Sequence, residues 1–448
     1  MKVAVIGSGI SGLAAAHHLQ GQAAITLFEA GDYFGGHTHT VDLTLPDATG
    51  RAVTHGVDTG FLVFNERTYP ELIRLLGELS VPTVRSDMSF SVQVPRAFGE
   101  HPLEWSGSDL GTVFSQRTNL LRPRFWRMLA DLVRFNRIAT HLAQEHTAEE
   151  WQQPLAEFLR AHRFSDQFVA WYLLPMIGCI WSCPTQQMLR FPVATLIRFC
   201  HNHGLLQVTD RPQWWTVPGG ARQYVQRIVE TIPDARLSTP VTAIARRIDG
   251  VHLRSQEQWE RFDALVLATH SDQALALLSD PTPLETATLG AIRYHPNRAV
   301  LHTDASVLPN NKLAWAAWNY ERGNTPQVCL HYLINKLQPI PFTQPVLVSL
   351  NPMREIPRAH GLGEYDYAHP VFDLAAMAAQ ARVPQLQGQQ HTYFCGAWMG
   401  YGFHEDGLKA GLGVARSLLA GFDRRAPPPH ETPAQSPAHA QERTPELA

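Results

Sequence analysis

Residues 2–12 read Lys2-Val3-Ala4-Val5-Ile6-Gly7-Ser8-Gly9-Ile10-Ser11-Gly12, a short apolar run that ends in the pattern GxGxxG. The run Lys2–Ile6 shows no alternation of apolar and polar residues, which predicts a strand buried on both faces. Residues 10–20, rich in Ala and Leu, predict a helix, and residues 24–29 a second buried strand. Together they have the proportions of a dinucleotide-binding βαβ unit in an α/β fold. Gly7 permits the tight turn, Gly9 lets the backbone approach a pyrophosphate, and Gly12 lets helix and strand pack closely. The phosphates would rest on the positive end of the helix, with Ile10 and Ser11 in its first turn. Glu29 ends the second strand, where a carboxylate accepts hydrogen bonds from ribose hydroxyls, and Ala30 follows it.

A glycine pair, Gly35-Gly36, lies just beyond this acid in the loop Tyr33-Phe34-Gly35-Gly36-His37-Thr38. There it offers a second close approach of backbone to pyrophosphate. Farther out, residues 68–79 have helical apolar spacing, and residues 122–200 are largely helical and rich in Trp, Phe and Leu, which predicts a separate cap. Strands are predicted over residues 235–248, 251–254 and 262–269, followed by short strands and Pro-containing turns. A last strand at residues 391–396 and a helix at residues 407–420 close the folded part. Beyond Phe422 the chain is mostly Pro, Ala, Glu, Gln and His, a composition expected to remain disordered over residues 425–448.

The bulk composition narrows the classes. With 448 residues the chain can bury two cores, and a net charge of -3 gives no long-range pull toward nucleic acid. Five scattered cysteines form no disulfide framework and no CxxC pair. This and an N-terminus that runs straight into a strand point to the cytoplasm. No stretch reaches the ~18 apolar residues of a membrane span. Lysine occurs only at positions 2, 312, 336 and 409. His37, His39 and His55 lack acidic or Cys ligands at suitable spacing, so no metal is expected.

With these segments the chain resembles the amine oxidase and phytoene desaturase superfamily of flavoproteins. It resembles most closely a bacterial subgroup of predicted FAD-binding oxidoreductases associated with fatty-acyl modification, over residues 1 to about 420. The resemblance implies a Rossmann-like, glutathione-reductase-like FAD-binding domain (residues 1–75, 215–280 and 385–424) with an inserted mixed α+β substrate and cap domain (residues 76–214 and 281–384). It implies FAD held by Gly7, Gly9, Ser11, Gly12, Glu29, Gly35, Gly36, His37 and Thr38. Val57-Asp58-Thr59-Gly60-Phe61 resembles the strand that passes near the flavin ring, with Gly60 flat against it. Val241 resembles the residue that brackets adenine, and Ala268-Thr269-His270 an element near the ribose or pyrophosphate.

The C-terminal segment from Gly396 to Gly411 resembles the superfamily's third FAD motif, in which a helix N-terminus points at the flavin pyrimidine. Asp406 is the expected N-cap, with Gly407 and Leu408 presenting amides. Ala397 stands where the superfamily often has an acid. The loop carries the candidate catalytic residues Trp398, Tyr401, His404 and Glu405. His404, with an ordinary pKa near ~6.5, is the candidate proton acceptor, and shaping the loop is the alternative role for His404 and Glu405. Many amine oxidases place a Lys near flavin N5, whereas the comparable stretch Asn297-Arg298-Ala299-Val300-Leu301-His302 has none. Trp214-Trp215 resembles the crossover back to the FAD domain and is a candidate pocket wall.

With a single GxGxxG, the flavin is expected to be reoxidised by oxygen or an external acceptor rather than reduced by a nicotinamide. Two activities follow from the resemblance, a dehydrogenase, desaturase or isomerase of long-chain lipid or a peroxide-producing amine oxidase; a structural or regulatory flavin-binding protein without turnover is the alternative from another class. The apolar content of residues 168–199 favours the first. Pro and Gly breaks there predict splayed helices that line a tunnel or touch a membrane surface; the core of the cap itself is the alternative role for these residues. Oligomeric state is left open.

Overall fold

The computed structural model describes residues 1–144, 153–207, 211–323 and 327–423. In it Lys2–Ile6 is the middle strand of a five-stranded sheet in the order Asp234–Arg236, Ala24–Phe28, Lys2–Ile6, Ala264–Leu267, Thr392–Phe394. Every pairing is parallel, with Val5 opposite Leu27 on one side and Val266 on the other. The absence of alternation in these strands has its cause here, since both faces are covered. One face carries the helices Ile10–Leu19, Arg222–Val229 and His404–Asp423 over Val3, Val5, Leu27 and Val266. The other carries a three-stranded antiparallel sheet, packed through Phe28, Ile244, Leu253 and Phe262. Two glycines set how close the helices come. A Cβ at Gly12 would lie 1.9 Å from the Gly7 carbonyl oxygen, and one at Gly411 2.1 Å from that of Ser11.

A seven-stranded mixed sheet forms the second body, in the order Gly361–Val371, Arg293–His302, Leu347–Leu350, Cys329–Leu333, Trp318–Glu321, Phe90–Phe98, His101–Ser106. Its core joins Val92, Leu103, Leu301 and Leu330 of the sheet to Phe125, Phe135, Phe158 and Ile177 of the cap helices.

Several expectations are corrected. The predicted strand at residues 235–248 is two elements, Asp234–Arg236 and Val241–Arg247, in different sheets. In place of only short strands, residues 270–390 contain two long ones, Arg293–His302 and Gly361–Val371, paired along their length. The cap helices are not splayed: Phe168, Trp171, Leu173, Ile177 and Trp181 are buried in the shared core. A π-helical turn, Val169–Leu173, runs without a break into the helix Leu174–Trp181, and the wider turn stands directly before Pro175, which lacks an N–H to donate. Among the described residues no helix is long and apolar enough to cross a membrane. The expected tail, residues 425–448, lies outside the described residues.

Candidate flavin and substrate site

The Gly7–Gly12 turn has the form of an anion cradle. Gly7 adopts φ +97°, and a Cβ there would press within 2.8 Å of the Ala268 carbonyl oxygen. Gly9 precedes the helix without any side-chain cap, so the amides of Ile10, Ser11 and Gly12 are left to an outside acceptor. A Cβ on Gly9 would meet no atom within 4 Å. That open space beside uncapped amides is where a pyrophosphate fits. Glu29 holds the amide of Ser8 at 3.0 Å and that of Gly31 at 2.8 Å. Ser8 Oγ, bonded to Glu29, accepts from the Gly35 amide, which ties the second glycine pair to the first. Gly36 packs against Gly9: a Cβ on it would lie 3.1 Å from Gly9 Cα. Ala30 is exposed beside Glu29, and Val241 follows the Thr239 amide that donates to the Glu29 carbonyl.

The C-terminal motif arrives at the same place with its helix set differently from expectation. The helix begins at His404, not Gly407. Asp406 is therefore not its N-cap; it lies in the first turn, and its carboxylate accepts from the amides of Tyr401 and Phe403, each at 3.0 Å. The Gly407 amide donates to the Phe403 carbonyl and Leu408 lies past the first turn of the helix, so neither presents a free amide. The open amides are those of His404, Glu405 and Asp406. Gly407 serves the contact between helices, because a Cβ there would come 2.8 Å from Ile10 Cγ2 and 2.9 Å from Ser11 Oγ. Two helix N-termini thus converge, a favourable field for an anionic cofactor. The residues fit FAD.

Two candidate catalytic residues turn away from the site. The Glu405 carboxylate accepts from the amides of Glu71 and Leu72, both at 3.0 Å, and so caps the helix Pro70–Glu78. Trp398 is buried and its Nε1 donates to the carbonyl of Thr269. A Cβ on Gly396 would collide with that indole. Gly60 likewise serves a chain crossing rather than a flat approach to a ring: its Cβ would lie 2.2 Å from the His37 carbonyl oxygen, to which Phe61 donates.

His404 stays in the site and joins its segments. Its ring stacks on Phe61 at 3.9 Å, and its Nε2 shares a 2.8 Å hydrogen bond with Tyr224 Oη. Tyr224 Oη also meets Thr38 Oγ1 at 2.6 Å. Burial lowers the His404 pKa to about 3, so it is not poised near neutrality as expected. His37 lies beside a group of rings, 5.0 Å from Tyr367 and 5.4 Å from His369. His369 Nδ1 meets Asn297 Nδ2 at 2.9 Å, and Asn297 Oδ1 accepts from Asn351. Burial lowers the pKa of His37 and His369, the latter to about 4. Asp58, in the Val57–Phe61 segment, is buried and accepts from Thr40 and the Ala221 amide, and burial raises its pKa to about 7.

Sequence reasoning missed Tyr224, Tyr367, His369 and Asn297 as members of this site. For two of them there was a signal: Tyr365, Tyr367 and His369 alternate along one strand, the period that places them on one face. Asn297 stands in the stretch compared with the lysine-bearing strand, and all four lysines are exposed.

On the cap side, an aromatic wall faces the flavin loop. Phe199 stacks on Phe403 at 4.8 Å, and Trp181 Nε1 donates to the Tyr401 carbonyl. His203 stacks on Phe199 at 3.9 Å. Trp214 and Trp215 form a strand between Phe64–Asn65 and Val84–Ser86. Of the histidines weighed as ligands, His55 bonds its own neighbour's carbonyl and His39 meets Thr59 and Tyr367. Elsewhere, Glu321, Cys329 and His331 come together inside the seven-stranded sheet, with His331 Nε2 3.0 Å from Glu321 Oε2 and Nδ1 2.6 Å from Ser349 Oγ.

The structure is similar to that of cyclohexylamine oxidase from Brevibacterium oxydans, with TM-score 0.67 and 18% identity over 94% of this chain and 99% of that one. It is similar to a putative protoporphyrinogen oxidase from Exiguobacterium sp. (TM-score 0.66, 19% identity, 94% and 99% covered). A fatty acid isomerase from P. acnes that produces CLA follows (TM-score 0.62, 16% identity, 94% and 98% covered). At these identities the likeness shows the fold alone. No curated protein matches the sequence. The family model of flavin-containing amine oxidoreductases matches residues 10–321, well over half of the chain, and the chain therefore belongs to that family as an FAD-dependent oxidoreductase.

Proposed function

We propose that the chain dehydrogenates, desaturates or isomerises a long-chain lipid or fatty-acyl substrate, on a Rossmann-like FAD domain with a cap that receives the hydrocarbon. The observation that carries this reading is the pair of half-buried rings Tyr401 and Phe403 on the flavin loop, backed by the buried Trp181 and Phe199 of the cap. Bound flavin supplies a hydride acceptor at N5. The chain's own part is to hold and exclude. The amides at the start of His404–Asp423 are placed for negative charge on the pyrimidine, and the wall keeps water from the reacting carbon. His404, neutral and bonded to Tyr224, orients the loop and carries no charge into the pocket. Asn297 in the lysine-bearing strand's place, with every lysine exposed, argues against the usual amine-oxidase arrangement. The fatty acid isomerase among the structural neighbours is compatible with the reading.

The test is anaerobic. Oxidised enzyme is mixed with detergent-dispersed unsaturated or methyl-branched phospholipids, and separately with cyclic, aromatic and polyamines, while the flavin's visible absorbance is followed. Bleaching by lipid is the expected result. Bleaching by amines and by no lipid would promote the amine oxidase and overturn the proposal.

A further inference from the structure

We infer that the corner formed by residues 110–133 and 311–313 docks on an anionic phospholipid bilayer. Among the described residues thirteen large apolar side chains are exposed, and six of them are here: Leu110, Leu120, Leu121, Trp126, Val133 and Leu313. Leu121 is 87% exposed and Leu110 79%, more than any of the thirteen except Ile248. The patch is continuous. Trp126 packs at a tilt against Phe114, with ring centroids 5.3 Å apart, one turn beyond Leu110, and donates to the Leu120 carbonyl. The Ser115 carbonyl accepts from Asn311, which brings Leu313 alongside. The outer stripe of the helix Pro123–Gln144 is Trp126, Ala130 and Val133, while Phe125, Met128 and Phe135 point inward. Isolated exposed leucines need no explanation, but a contiguous group does.

The charge around the patch selects the partner. Residues 107–144 contain six arginines (117, 122, 124, 127, 134 and 137) against Asp109 and Asp131, in a chain whose net charge is -3. Asp131 is already engaged by Arg134 and by the Ser165 amide. Arg127 flanks the apolar stripe and Arg137 continues it, where long side chains can lay their stems on lipid and their heads among phosphates. Beside Leu121 a cleft of about 420 Å³ is lined by His101, Gln116, Thr118, Arg117 and Arg122, a setting for an anionic headgroup. A second copy of the chain is the poorer partner, because a symmetric contact would set like charges against each other. The surface differs from the one expected at residues 168–199, whose large apolar residues are buried or half-buried, and it does not depend on which substrate the flavin oxidises.

The test uses the full-length flavin-loaded protein and vesicle flotation. The protein should float with phosphatidylcholine vesicles containing phosphatidylglycerol, sink with phosphatidylcholine alone, and release at high salt. Leu121→Ser with Trp126→Ser, and separately Arg117→Glu with Arg124→Glu and Arg127→Glu, should each lower partition at least tenfold with flavin spectrum and Tm unchanged. Three results would overturn the inference: wild type that ignores anionic vesicles, variants that float like wild type, or a solution dimer that the Leu121/Trp126 variant turns to monomer. Turnover of detergent-dispersed lipid should survive in both variants, so failure here is distinguishable from failure of the proposed function.

Discussion

Replacing Gly9 by Val separates cofactor binding from folding. Gly9 has φ -63°, ordinary for any L residue, and its Cβ direction is open space. The apoprotein should therefore fold as before. The added branched carbons would occupy the approach to the amides of Ile10, Ser11 and Gly12. A hydrogen bond to a charged group contributes about 1.5–3 kcal/mol, so losing two costs about 3–6 kcal/mol, or roughly 10²–10⁴ in FAD affinity. FAD at about 100 times its Kd stabilises the wild type by about 2.7 kcal/mol; at the same concentration the variant should gain almost nothing. The assay is a pair of melting curves with and without added FAD, with flavin absorbance after gel filtration. Gly12→Ala is the contrast: its Cβ would stand 1.9 Å from the Gly7 carbonyl oxygen, so it should lower the melting temperature even without FAD. Stoichiometric FAD on a folded Gly9→Val protein would refute the placement of the pyrophosphate. So would an apo melting point as low as that of Gly12→Ala.

Glu405→Ala should destabilise the fold by about 2 kcal/mol, because it strips two buried amides of the helix Pro70–Glu78 of their acceptor; if denaturant melts were unchanged while flavin reduction by substrate stopped, a role in the chemistry would have to be restored. His404, His369 and His203 have depressed pKa values, about 3 to 4 against the usual 6.5. Their contribution to stability is present above pH 6.5 and lost as pH falls toward 4. His404→Gln should flatten that acid slope; an unaltered slope counts against a buried, neutral imidazole. His331 runs the other way: burial opposes its charge, but the Cys329 thiol and Glu321 carboxylate outweigh it and raise the pKa to about 9. Its contribution is full below pH 6.5 and fades as pH rises through 9, so His331→Gln should remove a loss of stability in that alkaline window.

The parts of the fold that were legible in the sequence are those whose cause is local. Gly7, Gly9 and Gly12 announce a turn, an approach and a packing contact within six residues, and a run without alternation announces a strand covered on both faces. The start of the last helix was misplaced by three residues for an equally local reason. An Asp before Gly-Leu looks like an N-cap, and only the loop shows that Asp406 folds back onto the amides of Tyr401 and Phe403. Tyr224 was not legible. Its partners Thr38 and His404 lie 186 and 180 residues away in the chain, and a tyrosine on the inner face of a short helix looks like core. The apolar cap residues were legible as apolar but not as to what they cover. Proline breaks suggested splayed faces, yet Pro175 sits behind a π turn in an unbroken helical run and opens none.

The electrostatics of the site bear on what it can hold. Its imidazoles are neutral at working pH, its lysines are at the surface, and the carboxylates nearest the loop are occupied: Glu405 by a helix end, Asp406 by two loop amides, Asp58 by Thr40, Ala221 and Gln338. The reduced flavin brings a negative charge, and the four lysines are exposed at the surface. The two converging helix N-termini, whose close approach rests on Gly407 and Gly411, are the groups placed to meet it. A bulkier residue at Gly411 would force those helices apart, and the flavin's reduction potential should then fall, because the reduced, anionic form loses more than the oxidised one. An unchanged potential in a Gly411→Ala protein that still binds FAD would show that the charge is met elsewhere.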